Sequence, residues 1–314
     1  MATQSDLSAR TREVTPRLGR AYLRVLASGV RPGRPRPSPD EELPADITGC
    51  LRPEAGHVEA YRKVCGLREE GAKLPPLYPQ VLTFPLHLEL LGDPLMPASP
   101  LGMIHLAQAV RMRGELSVNE RLTARVGLEQ AGRHRRGGVL RLVTRVESGN
   151  GEWIGESLIL FPGLHLPEAL PILQPPDMPE GMDREISEIA LDGSTARRYA
   201  RVSGDWNPIH LGQFPARLMG QRRPMAHGMW SLARLLGEAG GPPWPHGSER
   251  MEAWFTSPLF YPGVGQILGN PEGTGLCLRS PRRNRTILWS RFDAQPATPD
   301  AWVHTISPES GASV

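Results

Sequence analysis

Tyr199-Ala-Arg-Val-Ser-Gly-Asp-Trp-Asn-Pro-Ile-His210 is the stretch on which the reading of this chain turns. A short helical pattern ends at Gly204, and a Gly/Asn/Pro turn then carries a carboxylate, Asp205, and an imidazole, His210. A few residues on, Pro224-Met-Ala-His-Gly-Met-Trp230 opens a second, strongly apolar helix, with Gly228 at its start. A helix N-terminus offers unpaired N–H groups and positive potential, and a glycine there lets a substrate oxygen come close. An acid–base pair beside such a terminus is what adding water to a polarised carbonyl conjugate requires. Taken alone, Asp205 also reads as a turn aspartate that caps its own backbone.

The pattern Tyr-x-x-x-Ser-Gly-Asp-x-Asn-Pro-x-His followed by Ala-His-Gly-Met resembles the hydratase motif of the MaoC-like family. This family comprises (R)-specific enoyl-CoA hydratases and (3R)-hydroxyacyl-ACP dehydratases of hotdog fold. Gly204, Asp205, Asn207, Pro208, His210, His227 and Gly228 stand at its fixed positions. Upstream, Leu74-Pro-Pro-Leu-Tyr-Pro-Gln-Val-Leu-Thr-Phe-Pro-Leu-His87 is similar to the central helix of the degenerate first hotdog in double-hotdog acyl dehydratases. The resemblance implies an α+β double hotdog, two units that each wrap a long central helix in an antiparallel sheet. It implies reversible hydration of trans-2-enoyl thioesters to (3R)-3-hydroxyacyl thioesters, on CoA or ACP, by a likewise dimeric cytoplasmic enzyme. In that scheme Asp205 and His210 activate a water and Gly228 holds the thioester oxygen. Asn207 and Ser203 support the loop, as does Tyr199, and His227 either touches the site or caps the helix. No metal and no cofactor is implied. The alternative is a non-catalytic acyl-binding or partner subunit that keeps the fold, and a further one is the same fold acting on an unusual thioester.

Composition narrows the remaining classes. A length of 314 residues suits two units of about 150 residues each. We place the first at residues 1–165, a proline-rich linker at 166–182, and the second, catalytic unit at 183–314. The 33 prolines and 34 glycines favour many turns over long helices. No run approaches the roughly 18 apolar residues of a membrane span, and the N-terminus lacks a charged-then-apolar leader. Cys50, Cys65 and Cys277 are scattered, without CxxC spacing, and read as reduced thiols. A metal held by Asp205, His210 and His227 is conceivable from residue types, but their spacing matches no familiar ligand pattern. There is no glycine-rich phosphate loop and no Gly-x-Ser-x-Gly elbow. Two arginine clusters, Arg133-His-Arg-Arg136 and Arg282-Arg-Asn-Arg285, read as solvated turns, or as contacts to CoA phosphates or an acidic carrier. Nucleic acid fits them poorly, since no aromatic residues interleave them.

Along the chain, Ala21 to Ala27 reads as a first strand, and Arg31 to Pro39 as an extended loop. A helix is expected from about His57 to Glu70. Leu77, Val81, Phe84, Leu88 and Leu91 define one helical face, kinked or split at Pro85. Strands follow from about Met103 to Phe161, with turns at Gly132–Gly138 and Ser148–Gly151. His87 and His105 fall in apolar stretches and read as core or surface histidines. In the second unit, strands are expected at Glu185–Leu191, Met251–Thr256 and Thr286–Phe292, and a helix from about His227 to Gly240.

Overall fold

A computed structural model describes residues 11–15, 18–29, 43–68, 71–240, 249–282 and 284–293. The strands are β1 (Thr11–Glu13), β2 (Asp46–Leu51), β3 (Ile104–Gly114), β4 (Leu122–His134), β5 (Gly137–Glu147), β6 (Gly151–Pro162), β7 (Arg184–Leu191), β8 (Glu249–Phe255), β9 (Gly263–Gly269), β10 (Gly275–Ser280) and β11 (Arg285–Asp293). The helices are α1 (Leu18–Gly29), α2 (Ala55–Cys65), α3 (Tyr78–Leu82), α4 (Phe84–Leu91), α5 (Gly193–Ser203), α6 (Gln213–Leu218) and α7 (Gly228–Glu238). The strands form one sheet in the order β1-β2-β4-β5-β6-β3-β8-β11-β10-β9-β7. Among the described strand pairs β1–β2 is parallel and the rest are antiparallel. The sheet has a seam where β3 meets β8 antiparallel, from Ala107 opposite Trp254 to Met112 opposite Glu249. On one side of the seam lie β1 to β6, on the other β7 to β11. This is the double-hotdog arrangement.

The helices occupy one face of the sheet. Leu86 and Leu90 of α4 are buried in the same core as Leu232, Leu235 and Leu236 of α7, which packs with Ile267, Leu278 and Leu288. The outer face has its own, smaller apolar cluster, in which Leu173 and Met182 cover Ala107, Trp254 and Trp289. The proline-rich stretch after β6 is therefore docked on the back of the sheet. Gly132 makes this possible, because a Cβ there would stand 2.6 Å from the Leu173 side chain and from the Pro171 carbonyl. Arg133 completes the docking by donating from Nε to the Leu170 carbonyl at 3.0 Å.

Two expectations need correction. Ala21 to Ala27 is part of helix α1, not a strand. Leu18, Ala21, Tyr22 and Val25 fall at i, i+3, i+4 and i+7, and Ala21 and Val25 are buried while Leu23 is 69% exposed. That three-to-four spacing packs one face of the segment into the core. The Leu77–Leu91 face is split, the second of the two outcomes expected at Pro85: α3 ends at Leu82, Thr83 intervenes, and Pro85 falls in the first turn of α4, where a missing N–H costs nothing. The helix expected to reach Glu70 stops at Cys65, because Gly66 takes the left-handed C-cap conformation. Arg135 and Arg136 lie exposed at the β4–β5 hairpin tip, and Arg282 and Arg285 are exposed around the β10–β11 turn. Arg31 to Pro39 lies outside the described residues. The three cysteines are unpaired, Cys50 exposed and Cys65 and Cys277 buried. No helix among the described residues is long and apolar enough to cross a membrane.

Candidate active site

The site is built on the loop between α5 and α6. Asp192 caps α5, its carboxylate accepting from the Thr195 N–H at 2.7 Å. At the other end Gly204, with φ of 74°, terminates the helix in the left-handed region. The chain then turns sharply and presents Asp205. Asn207 caps the 3-10 turn Pro208–His210, its side chain accepting from the Ile209 N–H at 3.3 Å. Proline at the start of that turn sets the φ it needs.

Each peptide group around Asp205 has a partner. Its N–H donates to Ser203 Oγ at 3.2 Å. Its carboxylate accepts from the Asn207 N–H at 3.1 Å. Its carbonyl accepts from Nε2 of His227 at 3.0 Å. Tyr22 Oη, from α1, donates to the Gly204 carbonyl at 2.6 Å and accepts from the Trp206 N–H at 2.7 Å.

His210 is 8% exposed and held at both ends. Its carbonyl accepts from Tyr261 Oη at 2.7 Å. Its Nδ1 lies 2.9 Å from the Met225 carbonyl, an acceptor only, so Nδ1 carries the proton of the neutral ring and Nε2 keeps a lone pair. An Asp205 carboxylate oxygen and one ring nitrogen each from His210 and His227 lie within 4.8 Å of one another. That spacing accommodates one water between hydrogen-bonding partners.

The same three groups have the composition of a cation site. The His210 and His227 rings are tilted at 31°, with centroids 3.9 Å apart. His227 Nε2 bonds the Asp205 carbonyl and His210 Nδ1 the Met225 carbonyl, which leaves each imidazole one further nitrogen.

His227 is the capping residue of α7 yet makes no side-chain cap hydrogen bond. Its ring turns back to the Asp205 loop instead and packs on Tyr199 at a centroid distance of 4.9 Å. Burial, followed by the neighbouring His210, pushes its protonation down to about 3. Nδ1 of His227 is buried without a hydrogen-bond partner. The first-turn N–H groups of α7 are thus left uncapped beside the acid–base pair. A Cβ at Gly228 would lie 3.2 Å from the Phe255 ring, so glycine keeps that ring close to the helix start.

The expected residues Asp205, His210, His227, Asn207, Ser203 and Gly228 are therefore brought together. Tyr22 and Tyr261 were not anticipated. Tyr22 lies 182 residues from the carbonyl it holds, beyond the reach of any local pattern. His87 stays in the core of the first half, bonded through Nε2 to Thr144 Oγ1 at 2.9 Å.

Fold and loop together define a double-hotdog protein in which a carboxylate and two imidazoles cluster near the start of α7. A family model described as MaoC like domain matches residues 177–263. The 3-hydroxyacyl-thioester dehydratase X of Mycobacterium tuberculosis is 32% identical over 197 residues, which cover 62% of this chain and 67% of the relative. A crystal structure of HtdX from the same organism matches with a TM-score of 0.67 at 26% identity, over 79% of this chain and 98% of that one. The crystal structure of a MaoC-like dehydratase from Phytophthora capsici shares the fold, with a TM-score of 0.62 at 20% identity over 78% of this chain and 94% of that one. The chain belongs to the MaoC-like dehydratase family, and it is an enzyme of the hydro-lyase type.

Proposed function

We propose that this enzyme interconverts trans-2-enoyl thioesters and (3R)-3-hydroxyacyl thioesters carried on CoA or an acyl carrier protein. One observation carries the reading. An Asp205 carboxylate oxygen and a ring nitrogen of His210 lie within 4.8 Å of each other, a spacing that one water can bridge, and the neighbouring His227 leads into the start of α7 without a side-chain cap. In the hydration direction both groups accept from one water, whose oxygen bonds to C3 as the C2=C3 π pair moves toward C2. Negative charge develops on the thioester oxygen, and the N–H groups at Gly228 stabilise it, such donors being worth about 3 kcal/mol. The proton drawn from water is delivered to C2, so the elements of one water add across the double bond. Dehydration runs the same path backwards. In this proposal residues 183–314 form the catalytic unit, residues 1–165 a unit that has lost catalysis, and 166–182 the connection. The enzyme is proposed to work as a cytoplasmic homodimer without a cofactor.

The test follows loss of enoyl-thioester absorbance with crotonyl-CoA and a longer homologue. Asp205→Asn and His210→Ala are each expected to lower kcat at least about a hundredfold with the fold intact, and a chelator is expected to leave wild-type turnover unchanged. Full activity in either variant overturns the site assignment. A wild-type protein inactive on both substrates overturns the proposed substrate class.

A further inference from the structure

We propose that Tyr22 is a positioning residue for Asp205, so that the first half of the chain sets the geometry of the site in the second. The argument rests on the reading of Asp205 given above. Two peptide groups flank the Asp205 Cα, and their orientation decides where the carboxylate points. Tyr22 Oη is bonded to both, donating its one proton to the Gly204 carbonyl at 2.6 Å and accepting from the Trp206 N–H at 2.7 Å. One hydroxyl thus closes a bracket over the residue. No other described side chain spans the loop in this way.

The bracket is itself anchored. The Tyr22 ring meets Phe84 of α4 at a centroid distance of 6.4 Å. Arg24, two residues further along α1, pairs with the buried carboxylate of Glu89 on α4 at 2.5 Å. Leu18, one turn earlier, lies where a Cβ on Gly204 would come within 3.1 Å of it, so α1 packs directly on the loop. Burial and the charge of Asp205 raise the ionisation of Tyr22 above the usual phenol range, which keeps it a neutral donor. Tyr22 touches no reacting atom in this scheme and acts only through Asp205.

Steady-state kinetics on crotonyl-CoA with the full-length enzyme test it. Tyr22→Phe keeps the ring and removes both bonds, so kcat is expected to fall about tenfold with KM within about twofold. The decisive readout is coupling. In Asp205→Asn, whose carboxylate is already gone, adding Tyr22→Phe is expected to cost nothing further, whereas an independent structural effect would multiply. Tyr22→Met, of similar volume, carries the same expectation should the phenylalanine variant not fold. Undiminished kcat in Tyr22→Phe, losses that multiply, or failure of both variants to fold each overturn the proposal. If Asp205→Asn itself is fully active, the reading of the site falls instead, and the two failures are told apart.

Discussion

The contacts of His227 suit a residue that holds the Asp205 loop. Its Nε2 proton is committed to the Asp205 carbonyl, its Nδ1 is buried without a partner, and its ring supports that of His210 from 3.9 Å. Leaving a buried acceptor unpaired costs roughly 1–3 kcal/mol. The cost is offset if the ring is needed to hold the loop. His227→Phe keeps the stack on His210 and the contact with Tyr199, removes the orphaned nitrogen, and leaves the Asp205 carbonyl unheld. These two changes in polar bookkeeping oppose each other, so chemical denaturation should report stability within about 1 kcal/mol of wild type. Turnover should nonetheless fall about tenfold, since Asp205 loses one of its fixed neighbours. A variant that keeps full kcat would show that His227 only packs.

At the level of elements, α7 shows how a helix start is kept open. Its capping residue spends its side chain elsewhere, and Gly228 admits the Phe255 ring at a distance any Cβ would tighten to 3.2 Å. Gly228→Ala should push Phe255 or the helix by a few tenths of an ångström. We expect kcat to drop more than tenfold while thermal stability changes little, because alanine otherwise favours the helix. Circular dichroism and crotonyl-CoA turnover measured together check this.

This element was legible in the sequence because the strongly apolar run from Met229 to Leu236 follows directly on Pro224 and Gly228. The same holds for the left-handed turn at Gly204 and the 3-10 turn at Pro208, which Gly, Asn and Pro announce within a few residues. α1 was not legible in the same way. Its Tyr-Leu-Arg-Val-Leu run satisfies strand propensity and helical spacing at once, and only packing on α4 settles the choice. A strand as short as β1 carries too few residues to show a period of two, and its partner supplies the evidence that the segment alone lacks. The bracket from Tyr22 belongs to this second class, since tertiary proximity is its whole content.

Across the whole molecule, three buried imidazoles tie stability to pH. Burial holds the protonation of His87 down at about 3 and that of His105 at about 4, with His227 at about 3, each from an ordinary 6.5. His87 lies against Thr144 and Thr83, and His105, on β3, packs on the Phe255 ring of β8 at 4.8 Å, while His227 stands in the second half. Below about pH 6.5 the unfolded chain takes up protons that the folded chain refuses, so stability rises with pH through this window and is lost as pH falls. Down to about pH 4 the loss should steepen toward three protons' worth, since none of the three rings is charged in the fold until then. Comparing urea midpoints at about pH 7 and about pH 5 measures it. His87→Gln retains groups that can bond Thr144 and cannot titrate, so about a third of that slope should disappear. An unchanged slope in this variant would mean that His87 is charged in the native core, or that other groups govern the acid limb.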